Sequence, residues 1–169
     1  MEVVLIVFVG TIVGFFLISM IRRPPAYLAM RGVGHPDIDD DQVERLGTLS
    51  LEEFETMLQR FVTEYIGLDI DVVDHTARNE IEIRARDDKP MVGGLYIVHG
   101  MLRSLDDFVG PESVMSLKDV VKEEGALKGF LITNSVFAAP AAQMLDAQKL
   151  ELINGPTLLQ LMARGSKPA

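Results

Sequence analysis

The chain has no cysteine, only three histidines, and fewer basic than acidic residues, 16 Lys and Arg against 25 Asp and Glu. Without cysteine there are no disulfides and no thiolate metal sites. His35, His75 and His99 are dispersed along the chain, and neither a GxSxG elbow nor a Walker-type phosphate loop occurs. Gly93-Gly94 is a turn rather than a dinucleotide fingerprint. The acidic run Asp37, Asp39, Asp40 and Asp41 lacks the alternate spacing, central glycine and closing glutamate of an EF-hand loop. A net charge of −9 repels phosphate backbones unless the basic residues gather on one face. On these grounds no metal and no cofactor are expected, and nucleic acid is not expected as a partner.

What the chain does have is an uncharged apolar stretch from Val3 to Ile21. A helix of this length spans ~28 Å, about the hydrocarbon thickness of a bilayer. The competing readings are a signal peptide and a buried helix. The first lacks a basic leading region and a small-x-small cleavage site, and the second rarely sits at a terminus followed by Arg22-Arg23-Pro24-Pro25. The spacing therefore predicts a transmembrane helix over 1–23. Arg22, Arg23 and Arg31 follow it directly, so the positive-inside rule places the N-terminus outside and the remainder in the cytoplasm, in single-pass topology at a cell inner membrane. Gly10 and Gly14 form a GxxxG pattern that lets a second helix approach closely. The partners implied are the lipid bilayer and other membrane subunits.

Residues 24–47 read as a linker, broken by Pro24-Pro25, Gly32, Gly34 and Pro36. A domain over 48–165 follows. Ser50-Leu51-Glu52-Glu53 is a capping box, and Leu51, Phe54, Met57, Leu58, Phe61, Val62 and Tyr65 recur at helical spacing until Gly67. Leu68 to Val73 alternates as a strand, and His75 to Asn79 is turn-like. Glu80-Ile81-Glu82-Ile83-Arg84-Ala85 alternates strictly, with Glu80, Glu82 and Arg84 on one face and the apolar residues on the other. Leu95 to Met101 reads as a buried strand. After a polar loop, Pro111 opens a helix running to Gly125. Gly129 to Asn134 is a strand apolar on both faces, Ala138 to Gln148 a helix, Leu150 to Ile153 a strand, and Thr157 to Ala163 a last helix. The order predicts an α/β fold with a central sheet.

From Leu49 to Met162 this order and these residues resemble the Mrr-like restriction endonuclease domains of the PD-(D/E)XK nuclease fold. The motifs that carry the resemblance are the Ser50 to Tyr65 helix with its Phe54-Glu55 pair, then Glu124-Gly125-Ala126, Lys128 to Ser135, Phe137, the alanine-rich helix, Leu150 to Gly155 and Leu158-Leu159. The resemblance implies a central mixed sheet flanked by helices. In active members an acidic residue ends one strand, and a Gln or Glu followed two residues later by Lys lies on the next. Carboxylates hold a divalent cation and the lysine orients or activates water. Glu82 falls at the aspartate, Glu55 at the helix glutamate, His99 at the Gln or Glu, and Met101 at the lysine.

Met101 carries no charge and its natural role is packing. His99 in an apolar strand reads as a core residue, or as a poor magnesium ligand. Arg103 is near enough in sequence to swing back toward the site, and Arg84 is a natural ion-pair partner for Glu82. Two expectations follow. The first is a membrane-anchored, catalytically inactive nuclease-like domain, not an enzyme, serving as an accessory subunit of a membrane complex, with Glu55, Glu82, His99 and Met101 as a vestigial site. The second is a membrane-anchored, metal-dependent DNA endonuclease in which Glu55, Glu82 and His99 converge.

Overall fold

A computed structural model describes residues 40–89, 93–144 and 149–165. The proposed membrane helix, its Gly10 and Gly14, and most of the expected linker lie outside these residues. None of the helices formed by the described residues is long and apolar enough to cross a membrane.

The expected linker does not extend through Gly47. Asp40–Thr48 forms a helix, α1, and its Leu46 is buried. The acidic run hides the signal, because aspartates are read as solvated tether, yet their charge is favourable at a helix N-terminus.

Ser50 then caps α2 (Leu51–Arg60). The Glu53 N–H donates to Ser50 Oγ at 3.2 Å, and the Ser50 N–H donates to Glu53 Oε2 at 2.8 Å, satisfying two of the amides a helix start leaves unpaired. The helix widens into a π-helical turn over Phe61–Ile66. It stops at Gly67, whose φ of 78° lies in the left-handed region that glycine enters at little cost. Phe54, Leu58, Phe61 and Val62 are buried as one apolar stripe.

The main sheet has the order β1-β2-β3-β5-β7. Its strands are β1 (Asp69–Ala77), β2 (Glu80–Asp87), β3 (Gly94–Met101), β5 (Lys128–Thr133) and β7 (Leu150–Ile153). The first three pair antiparallel, whereas β3, β5 and β7 run parallel. Strand β1 is longer than its alternation suggests, and His75 to Ala77 belongs to it rather than to a turn. It is an edge strand with little burial on either face, so periodicity cannot mark its end. Two short strands, β4 (Phe108–Val109) and β6 (Val136–Phe137), pair parallel in a separate ribbon. These lie where the sequence reads as loop.

Helices cover both faces of the main sheet, as parallel strands require. On one face, α2 and α5 (Gly155–Gly165) pack over Ile81, Ile83, Val98, Phe130 and Ile132. On the other, α3 (Pro111–Glu123) and the short α4 (Ala139–Gln143) pack over Ile97, Met101, Leu131 and Leu150. Helix α2 comes close to β3 because Gly100 has no side chain. A Cβ there would stand 2.2 Å from Leu58 Cδ1, so any larger residue would force the Leu58 side chain to shift.

Candidate active site

Strand alternation and register decide which side chains can meet. In the β2–β3 ladder Glu82 stands opposite His99, and Glu80 opposite Met101. Directly opposed residues share a face, so Glu80, Glu82, Arg84, His99 and Met101 all lie on the α3 side.

Glu82 is the most buried acid of this strip, with 6% of its surface exposed. A buried carboxylate needs a partner, and Arg84 Nη2 lies 2.8 Å from Glu82 Oε1. This is the ion pair that the alternation of the strand suggests. The structure buries Glu82 and leaves Arg84 half-buried. Arg84 is also held from two further elements. Its guanidinium donates to both carboxylate oxygens of Glu124, from Nε and from Nη2 at 2.7 Å, and from Nη1 to Asp74 Oδ2 at 3.1 Å. The hydrogen bonds to Glu124, reinforced by the charges of Glu82, Glu124 and Asp74, hold the guanidinium firmly protonated, above its already high range. The same bonds hold the Glu124 carboxyl below the usual glutamate range. An acid in the last turn of a helix opposes the macrodipole, and Arg84 supplies the compensating charge.

At the other end of the strip Arg103 Nη2 donates to Glu80 Oε1 at 2.5 Å, so Arg103 does swing back as its position suggests. His99 Nε2 lies 3.5 Å from Glu80 Oε2, in a geometry that makes no hydrogen bond. It is the one buried side-chain nitrogen or oxygen among the described residues without a hydrogen-bond partner.

Asn134, just beyond β5 and 1% exposed, fixes the backbone beneath Arg103. The Arg103 N–H donates to Asn134 Oδ1 at 2.7 Å, and Asn134 Nδ2 donates to Arg103 O at 2.8 Å and to Leu46 O at 3.0 Å. The sequence shows it only as part of the Lys128 to Ser135 motif, since its partners are backbone groups brought together only by the fold.

One of the expected site residues is placed elsewhere. Glu55 does not converge with Glu82 and His99. It lies on the α2 side, where its Oε2 is 2.8 Å from His75 Nε2 and its Oε1 accepts from Gln59 Nε2. His75 pairs with Ile81 in the ladder, whereas the neighbouring Asp74 pairs with Glu82, so the two acids are on opposite faces of the sheet. Met101 lies on the α3 face opposite Glu80 and is buried in the apolar core there, where a thioether packs. Neither resolved lysine ion pair supplies the missing cation. Lys128 pairs with Glu151 on the α2 side, beside Phe130, and Lys89 pairs with Asp87 near a turn.

The divalent cation implied by the resemblance can be tested against these donors. Among the described residues no three His, Asp or Glu side chains are grouped to hold a metal ion. Glu82 and Glu80 face guanidinium groups instead. As arranged, the residues do not fit a cation.

Residues 46–162 match the restriction endonuclease family, Mrr_cat. The chain belongs to that family. Among solved structures the fold is similar to a DNA modification-dependent restriction endonuclease, AspBHI, with a TM-score of 0.51 and 15% identity over 75% of this chain and 36% of that one. It is also similar to the MspJI restriction endonuclease in complex with a 27-mer oligonucleotide, with a TM-score of 0.50 and 18% identity over 77% of this chain and 33% of that one. The chain thus spans about a third of the length of these structures. No match is found among curated proteins.

Membership corrects two expectations. The family is one of restriction endonucleases, so the readings that the chain is not an enzyme and that nucleic acid is no partner do not stand. The first was drawn from one missing ammonium group, although other groups can carry protons and charge. The second was drawn from net charge, which does not report where the basic residues lie.

Proposed function

We propose that this chain is a DNA endonuclease domain, held at a membrane by its N-terminal apolar segment, with the strip of Glu80, Glu82, His99 and Arg103 as its site. The observation that carries this reading is the register of β2 and β3. It sets Glu82 opposite His99 on one face, and these are the residues that the resemblance aligns with the family's acidic and Gln/Glu positions. The family match and the printed name of the DNA modification-dependent restriction endonuclease favour DNA as the substrate class.

The reaction is hydrolysis of a phosphodiester. Water adds at phosphorus while one P–O ester bond breaks, leaving a phosphate monoester and a hydroxyl. Such a step needs a proton acceptor beside the water and positive charge near the phosphoryl oxygens. His99 Nε2, with no hydrogen bond of its own, is the acceptor. Arg103 supplies the positive charge, with its backbone fixed by Asn134.

The test is nicking of supercoiled plasmid by the full chain in detergent, with magnesium, with manganese, and with a chelator. Cleavage is expected, and Glu82→Gln and His99→Ala are each expected to lower its rate by about a hundredfold. No cleavage under any of the three conditions, or cleavage indifferent to both substitutions, overturns the reading.

A further inference from the structure

We propose that this site is closed to hard divalent cations such as magnesium and manganese, the guanidinium groups of Arg84 and Arg103 standing where a cation would otherwise balance Glu82 and Glu80. The proposal rests on the reading of this strip as the site, but not on its cutting DNA.

A hard cation such as magnesium or manganese needs several oxygen ligands with free lone pairs. Glu82 is the best placed acid, and its Oε1 is held by Arg84 at 2.8 Å, so a cation entering there competes with that guanidinium. Arg84 in turn cannot turn away cheaply, because one planar fork joins Asp74 of β1, Glu82 of β2 and Glu124 at the end of α3. A cation entering here would place like charge against a guanidinium that keeps its proton.

Glu80 is held differently, by the residue rather than by a network. Arg103 is anchored at both its N–H and its carbonyl by Asn134, and its Nη2 reaches Glu80 at 2.5 Å. The remaining donor is His99, and imidazole suits zinc, copper or nickel better than magnesium. Two exposed acids, Asp74 and Glu124, complete the local charge, and both are already bonded to Arg84.

The arrangement makes a gain-of-binding test available, in which arginine is removed and metal affinity appears. Manganese is titrated into the full chain in detergent and followed by the paramagnetic signal of the free ion, with no DNA present. The native chain is expected to show no saturable binding at millimolar manganese. Arg103→Gln frees Glu80 beside His99 and is expected to bind at least about tenfold more tightly than the native chain. Adding Glu80→Gln to that variant is expected to abolish the gain. Arg84→Gln, which leaves Glu82 buried without a cation, is followed in parallel by thermal melting, where millimolar manganese is expected to raise its Tm but not that of the native chain.

Saturable binding by the native chain that Glu82→Gln removes would overturn the proposal. So would a folded Arg103→Gln variant that binds no more manganese than the native chain. Plasmid cleavage that proceeds in chelator sustains both readings, and cleavage that requires manganese bound by the native chain sinks this one while leaving the endonuclease standing.

Discussion

The two faces of β2 solve opposite problems. Toward α2 the strand presents Ile81, Ile83 and Ala85, all fully buried, and shape alone decides how well they fit. Toward α3 the same strand presents Glu80, Glu82 and Arg84, and there each charge must find a counter-charge before the helix can cover it. A fold needs only the first kind of face. Partly buried charges are costly to keep unless paired, and on the second face Glu82 is paired with Arg84 and Glu80 with Arg103.

The comparison is broken most severely on the apolar side. Phe54→Ala removes a fully buried ring from the α2 contact and is expected to cost about 3 to 5 kcal/mol in urea unfolding. The arrangement on the α3 side is not touched directly, so any cleavage rate measured well below the unfolding transition should change little.

On the charged side, Arg84→Gln leaves Glu82 without its cation. Because Arg84 keeps some contact with water, the expected loss is about 2 to 3 kcal/mol, below that of a fully buried pair. The double variant with Glu82→Gln should regain much of it, and the non-additivity measured by the cycle separates a charge effect from a packing effect. If both single variants and the double are equally destabilised, the face is held by shape after all.

The smallest effect is in acid. The Glu124 carboxyl is held below its unfolded value by hydrogen bonds from Arg84. Its contribution is therefore fully present above the ordinary glutamate range and is lost as pH falls through the lower, folded value. Glu124→Gln should flatten the acid limb of the stability curve by about 0.5 kcal/mol while leaving neutral pH behaviour of the other carboxylates in place. A variant with an unchanged acid limb would show that the pair contributes nothing.

The sheet was legible because its central strands are buried in recognisable patterns. Glu80 to Ala85 alternates, Leu95 to Met101 and Gly129 to Asn134 are apolar runs, and Gly67 and Gly125 end helices where the chain shows them. Elements that bury little were not legible. Strand β1 is mostly exposed, β4 and β6 have two residues each, and α1 begins in aspartates. The site was legible only as far as the ladder carries it. Alternation put Glu80, Glu82 and Arg84 together, and the resemblance aligned Glu82 with His99. Glu55 was misplaced because a helix position does not say which face of a sheet the helix will cover. Glu124, Asp74 and Asn134 reach the strip from separate elements, a relation no local pattern contains.

Asn134 grips the carbonyls of Leu46 and Arg103 with a single amide group. The end of α1 and the start of the loop after β3 are thereby pinned to one side chain, although they are far apart along the chain, so losing that amide would free both at once.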